Sequence, residues 1–219
     1  MIPTDSTTLA VSDRIRQAIL DGEFVPNQRL IEADLCEMYA ASRATVRGAL
    51  LDLANDGLVE RLPNRGARVR SVSLEEAIEI SEVRMVLEGL CAYKAAERVT
   101  EEEKAELREI GEAMSDAVER GDLLTYSSSN KLLHAKVGEF SRQVTANQII
   151  NRVRAQIVRH QYRIAMNPGR PTVSLPEHLE IIDAICANDP ERAETALRNH
   201  MRSVMSTLRS MSSNESSAT

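Results

Sequence analysis

The sequence predicts a mainly α protein in two parts, an N-terminal winged helix-turn-helix and a C-terminal six-helix antiparallel bundle. Three observations carry that expectation. Apolar residues recur at helical spacing along almost the whole chain. An extended, turn-bearing stretch, Leu58 to Val69, follows directly on a short helix that carries two arginines four residues apart. Arginine is concentrated in the same place: residues 1–41 hold three Arg against seven acids, whereas residues 42–70 hold six Arg against three acids. The net charge of -6 therefore conceals a basic patch, and contact with phosphate depends on the local density of cations rather than on the total.

The first helix is expected from Thr7 to Asp21, with Leu9, Val11, Ile15, Ile19 and Leu20 on one face and Gly22 as its stop. Residues 24–30 read as a connector. Ile31, Leu35, Cys36 and Met38 mark a second, shorter helix over 31–39, and Ala40-Ala41 leads into Ser42, a good N-cap. In the third helix Val46, Ala49, Leu50 and Leu53 turn inward while Arg43 and Arg47 share the opposite face. Asn55-Asp56-Gly57 stops it, Leu58-Val59 begins an extended segment, and Pro63-Asn64-Arg65-Gly66 turns the chain back into Ala67-Arg68-Val69. A recognition helix followed by an arginine-tipped wing completes a first domain over residues 1–70.

Residues 71–73 read as a linker, and Ser73 with Glu76 as a capping box that opens a long helix. Thr100, Asp122, Thr145, Ser174 and Asp189 are the further N-cap candidates, which gives six helices near 74–98, 101–120, 122–140, 146–165, 175–187 and 190–210. The second domain is thus expected over 74–211, and the polar residues 212–219 as a disordered tail. Cys36, Cys91 and Cys186 are too widely spaced for a thiolate metal site or a disulfide framework. With no apolar run near the ~20 residues of a membrane span and no signal-peptide pattern at the N-terminus, the expected location is the cytoplasm, with no membrane partner.

A second site is suggested by histidine placement in the helical part. Asn130 and His134 lie one turn apart on one helix face, an amide oxygen beside an imidazole. His178 precedes the short Ala187-Asn188-Asp189-Pro190 turn by about ten residues and His200 follows it by about ten, so at ~1.5 Å per residue the two reach the same height on antiparallel helices. Any one of these histidines alone reads as a satisfied, half-buried side chain. Together, Asn130, His134, His178 and His200 form a set without thiolate that suits a divalent metal ion, Zn first, with Ni, Mn or Fe as alternatives. His160, between Ile157 and Ile164 on an apolar stripe, reads instead as a core or pocket-wall residue. Arg84 and Glu88, four apart, read by their spacing as a helix-surface ion pair.

Two resemblances sharpen this reading. Gly22-x3-Pro26-x3-Leu30-x-Glu32-x2-Leu35, Ser42-Arg43-x2-Val46-Arg47-x-Ala49-Leu50-x2-Leu53-x3-Gly57-Leu58-Val59 and Asn64-Arg65-Gly66-x2-Val69 together resemble the GntR family of bacterial transcription regulators. The resemblance implies DNA contact by Arg43, Thr45, Arg47, Arg65 and Gly66, with Ser42 heading the same helix in the DNA-binding set. The chain departs from the usual pattern at Asn27, at Ala44-Thr45 and at Gly48, which costs about 1 kcal/mol against Ala inside a helix. The Asn-plus-three-His set resembles the FCD ligand-binding domain of the FadR subfamily, in its shorter VanR-type version. That resemblance implies a metal inside the bundle, an effector carboxylate clamped by Arg84, and Arg154 as a further pocket candidate.

The function expected from this is a homodimeric transcription regulator, a repressor, that reads a palindromic double-stranded DNA operator and responds to a small organic acid at a metal-containing pocket. Two alternatives use the same histidines. In one, the ion itself is the signal. In the other, the chain is a metal-dependent hydrolase, against which stand the absence of His-Glu-x-x-His and of an acid poised as general base.

Overall fold

The computed structural model describes residues 6–62, 66–167 and 169–216. Contacts divide the chain into two compact units: residues 1–73 with Arg152–Val158, and residues 74–151 with 159–219.

The first unit opens with α1 (Ser6–Leu20), whose Val11, Ile15, Ala18 and Ile19 are buried. Next come β1 (Arg29–Leu30), α2 (Glu32–Tyr39) and α3 (Arg43–Asn55). Ala40 ends α2 in the left-handed conformation, and Ser42 caps α3, its side chain accepting from the Thr45 amide at 3.1 Å. Strands β2 (Val59–Leu62) and β3 (Gly66–Val69) then join β1 in an antiparallel sheet of order β1-β3-β2, in a register that sets Arg29 opposite Arg68 and Leu62 opposite Gly66. The stretch expected as a connector therefore supplies the third strand. Two residues are too few to show the alternation by which a strand is read from sequence, and their pairing energy comes wholly from β3. Gly66 sits at φ +84° against the Leu30 carbonyl, which leaves no room for a side chain. Gly48 has a comparable reason. A Cβ there would lie 2.8 Å from Thr8 Cγ2, so the helix-weakening glycine lets α1 lie close against α3.

Residues 152–158 complete this unit. Ala155 packs against its apolar core, and the Gln156 side chain closes the end of α3. Its Nε2 donates to the Asp56 carbonyl at 2.8 Å, and its Oε1 accepts from Arg70 at 3.3 Å. Gly57, at φ +74°, makes room for that amide.

The second unit contains α4 (Leu74–Arg98), α5 (Glu101–Glu119), α6 (Leu123–Phe140), most of α7 (Val144–Gln156), α8 (Val158–Ala165), α9 (Arg170–Cys186) and α10 (Pro190–Ser216). Helix α10 packs on α4 and α9, and α5 on α6 and α9. Leu107, Met114, Leu133, Phe140, Ile181, Ile185 and Leu197 form an aliphatic-rich core among them. Thr100, Asp122 and Asp189 accept from the backbone amides of Glu103, Thr125 and Arg192, as expected of N-caps.

Four expectations change. The single helix expected over 146–165 is α7 and α8, broken at Ile157, whose amide bonds three residues back to the Arg154 carbonyl; the described residues thus hold seven helices here rather than six. Helix α7 begins at Val144, so Thr145 lies inside it rather than capping it. Helix α9 begins at Arg170, five residues early, and runs through Pro176. Finally, α10 continues to Ser216 where a disordered tail was expected; residues 217–219 lie outside the described residues.

Candidate metal centre and DNA interface

Three helices of the second unit deliver the histidines. His134 comes from α6, His178 from α9 and His200 from α10, and the tight turn at Asn188 between α9 and α10 sets the last two side by side. Their ring centroids are 4.3 Å apart, and His134 lies 5.3 Å from His200 and 5.8 Å from His178. One donor atom from each ring falls within 4.8 Å of the others, a spacing that a single ion spans. All three rings are buried.

Each Nδ1 is engaged by a partner outside the triad. His134 Nδ1 meets Glu88 Oε2 at 2.9 Å, His200 Nδ1 meets Glu177 Oε2 at 2.9 Å, and His178 Nδ1 meets the Tyr126 hydroxyl at 3.0 Å. A carboxylate only accepts, so Nδ1 of His134 and of His200 carries the proton. The Tyr126 case follows from counting protons. Ser174 Oγ donates to the Arg170 carbonyl at 2.9 Å, so it accepts from Tyr126 across their 2.6 Å contact, and Tyr126 in turn accepts from His178 Nδ1. In the neutral rings, then, every Nε2 presents a lone pair. His178 Nε2 and Asn130 Oδ1 are both buried with no hydrogen-bond partner in the protein. A buried acceptor that meets no donor is costly unless a cation reaches it. The residues therefore fit a divalent ion, and the Nδ1 partners are of the kind that orient ligating histidines.

Electrostatics point the same way. His178 is held well below its ordinary value of 6.5, first by burial and then by the nearby charges of His200, His134 and Arg170, so it stays neutral and ready to ligate. Burial pushes the Tyr126 phenol up to about 12, which keeps its proton on the hydroxyl. Burial also raises Glu177, but hydrogen bonds from His200 and Ser203 and the charges of His200 and Arg170 outweigh it and hold the carboxyl below its usual range.

The two carboxylates are themselves paired. Arg84 reaches Glu88 Oε1 from Nε at 2.8 Å and from Nη2 at 2.7 Å, with side chains 5 % and 6 % exposed. The surface-pair reading of Arg84 is thereby corrected: the pair is buried, one step behind His134. Arg170 does the same behind His200, with Nη2 on Glu177 at 3.1 Å and Nη1 on Ser203 at 2.7 Å and Thr207 at 3.3 Å. Ser174, expected as a helix cap, serves this network instead, as does Glu177.

Asn130 lies one turn before His134 on the same helix. Arg154 belongs to the first unit and not to the unit that holds the histidines. His160, half-buried on α8, is outside the triad. Sequence reading missed Glu88, Tyr126, Glu177 and Arg170 as site residues. Tyr126 had a legible signal, since 126, 130 and 134 recur at intervals of four along one helix face. Arg170 had none, because its helix is entered five residues before the cap pattern.

In the first unit Ser42, Arg43 and Arg47 are exposed at the start of α3 and Thr45 is half-buried. Arg47 Nε pairs with Glu32 Oε2 at 2.8 Å, yet its side chain remains 63 % exposed. Gly66 opens β3, and Arg65 lies outside the described residues. A capped helix with two exposed arginines, beside a small sheet, is the arrangement of helix-turn-helix proteins that read a DNA groove.

Residues 7–69 match the bacterial regulatory proteins of the gntR family, and residues 79–203 match the FCD domain. The chain belongs to the GntR family, with an FCD domain. This GntR regulator is 25 % identical to the transcriptional repressor RspR of Escherichia coli K12 over 94 % of this chain and 91 % of that one. It is 29 % identical to the E. coli K12 regulator McbR over 90 % of each. Among solved structures it resembles E. coli McbR/YncC with a TM-score of 0.78 at 25 % identity, covering 94 % of this chain and 98 % of the other. It also resembles a putative GntR regulator from Rhodococcus sp. RHA1 with a TM-score of 0.72 at the same identity and coverage. The GntR family and these relatives are transcription regulators, and the chain is one of them rather than an enzyme. No helix among the described residues is long and apolar enough to cross a membrane.

Proposed function

We propose that the chain is a cytoplasmic, homodimeric repressor whose affinity for a palindromic operator is controlled by a small organic acid bound at a divalent metal ion, Zn first among the candidates. The observation that carries the ligand half of this reading is His178 Nε2, buried without a hydrogen-bond partner among three histidines whose Nδ1 atoms are all engaged; Asn130 Oδ1, one turn before His134, is likewise buried and without one. Asn130, His134, His178 and His200 would hold the ion, which supplies a Lewis-acidic anchor for a carboxylate. The protein holds the rings in place through Glu88, Tyr126 and Glu177, and the surrounding core keeps water away. Arg43 and Arg47, with Ser42, Thr45, Arg65 and Gly66, contact the operator in each protomer. An exposed apolar run on α4, Val83, Val86 and Leu90, supports pairing of two copies. Effector and operator affinities are then reciprocally linked.

The test is thermal unfolding of the purified protein with a panel of small mono- and dicarboxylates, each with and without a strong chelator. An acid at ~100 times its dissociation constant adds about 2.7 kcal/mol, a shift of a few degrees. The expected result is stabilisation by one acid that vanishes with chelator. Operator affinity that follows free metal at constant acid concentration would instead make the ion the signal. For the DNA half, Arg43→Ala and Arg47→Ala weaken operator binding in an anisotropy titration, and a residue that contacts phosphate lowers the salt slope by about 0.9.

A further inference from the structure

We infer that Asn130 makes this site an obligatory metal-plus-anion site: the ion is held tightly only together with an anionic ligand, and the residue at position 130 sets that dependence. The inference rests on the metal reading above and concerns what the protein leaves uncompensated.

The candidate donors, three imidazole nitrogens and the Asn130 amide oxygen, are all neutral. Two carboxylates stand close behind the rings, Glu88 on His134 and Glu177 on His200. Each is matched by its own buried guanidinium: Arg84 on Glu88 at 2.7 Å, and Arg170, 6 % exposed, on Glu177 at 3.1 Å. The third ring rests on Tyr126, a neutral phenol linked to the neutral Ser174. Each carboxylate behind the rings is thus balanced by a guanidinium, and a divalent ion brings two positive charges to a site whose four candidate donors are all neutral.

Buried charge without a counter-charge is costly, and the low dielectric of such a place strengthens attraction to any anion that reaches it. A carboxylate group from outside supplies the missing negative charge and a hard oxygen donor at once. The ion and the anion thus stabilise each other, and by reciprocity each raises the affinity of the other by the same factor. An aspartate at position 130 would place one negative charge inside the ligand set permanently. It would raise the affinity for the ion alone and remove much of the need for the external anion. The neutral amide, one turn before His134 with its Oδ1 buried and without a hydrogen-bond partner, leaves that role to the effector. The expected effector is accordingly a small carboxylate anion, and a neutral isostere of the same shape, such as the amide, should fail to bind.

Zinc affinity is to be measured on the full chain by competition with a chromophoric chelator, in acetate and in perchlorate at equal ionic strength. For the unaltered protein, zinc should bind about tenfold or more tightly in acetate, within the usual range of coupling. Asn130→Asp should bind zinc more tightly than the unaltered protein in perchlorate and show little further gain in acetate. Asn130→Ala, which stays neutral, should keep the acetate dependence, and it serves as the decisive comparison should Asn130→Asp fail to fold. Zinc binding to the unaltered protein that ignores acetate overturns the inference, as does equal acetate dependence in Asn130→Asp or its loss in Asn130→Ala. Absence of zinc binding to the unaltered protein in either salt overturns the metal reading itself, and this inference with it.

Discussion

The two units of the chain use charge in opposite ways. In the winged-helix unit the buried core from Val11 to Val69 is almost wholly apolar and the arginines sit outside: Arg43 and Arg47 are exposed, and the Arg68–Glu60 pair is about half open to solvent. In the helical unit the charges lie inside, in two chains that run from arginine through glutamate to histidine, Arg84–Glu88–His134 and Arg170–Glu177–His200. The first arrangement leaves its cations exposed, as contact with a polyanion requires. The second holds two of the three imidazoles, His134 and His200, at a cost in desolvation, and its use lies in positioning.

The largest effects should come from breaking the inner chains. Arg84→Ala leaves Glu88 buried beside His134 with no guanidinium, and truncation of one partner of a buried pair costs about 3–5 kcal/mol. The change should appear in the unfolding of the helical unit. Leu53→Ala, at a fully buried position of the winged-helix core, should cost about 2–5 kcal/mol and act on that unit. Urea unfolding followed by unit-specific proteolysis distinguishes the two. If both substitutions destabilised both units equally, the contrast drawn here would not hold.

An intermediate effect is expected at Tyr126. Tyr126→Phe keeps the ring and removes the acceptor of the His178 proton, so it frees that imidazole to change tautomer. Zinc affinity should fall about 10–100-fold while the fold loses only about 1 kcal/mol, since the hydroxyl is the one group removed. Equal zinc affinity in the two proteins would mean that Tyr126 does not orient His178.

The smallest effect is a pH dependence. His178 has a folded-state value depressed below 6.5, chiefly by burial. Above that value the ring is neutral in both states and contributes no slope. As the pH falls below about 6.5 the unfolded chain takes up a proton that the folded chain refuses, so stability is lost progressively. Urea midpoints measured in the absence of metal should therefore be lower at a pH of about 5.5 than at about 7.5, and His178→Gln should narrow the difference. A midpoint that rises on acidification would contradict the assignment.

Much of this was legible in sequence, and the limits have physical causes. Helical periodicity and local caps are short-range, so α1 to α6 and α10 begin within about two residues of expectation, and a basic patch on a capped helix showed in composition. Strand β1 was not legible, because two residues carry no period and pair only with β3. The break at Ile157 lacks a proline or glycine to announce it. Ser174 carried a local cap signal, but in the fold it donates to the Arg170 carbonyl inside α9 and bonds Tyr126.

By itself, the sequence determined which residues would face inward, where the exposed arginines of α3 stand, and that three histidines and an asparagine recur at spacings a metal would tolerate. Only the tertiary structure decided which nitrogen of each imidazole points at the others, which carboxylates stand behind them and which arginines neutralise those carboxylates. Spacing along a helix is a local quantity that the chain carries in its order of residues. Proton placement and charge balance depend on what other helices bring within 3 Å, and that is settled only when the bundle closes.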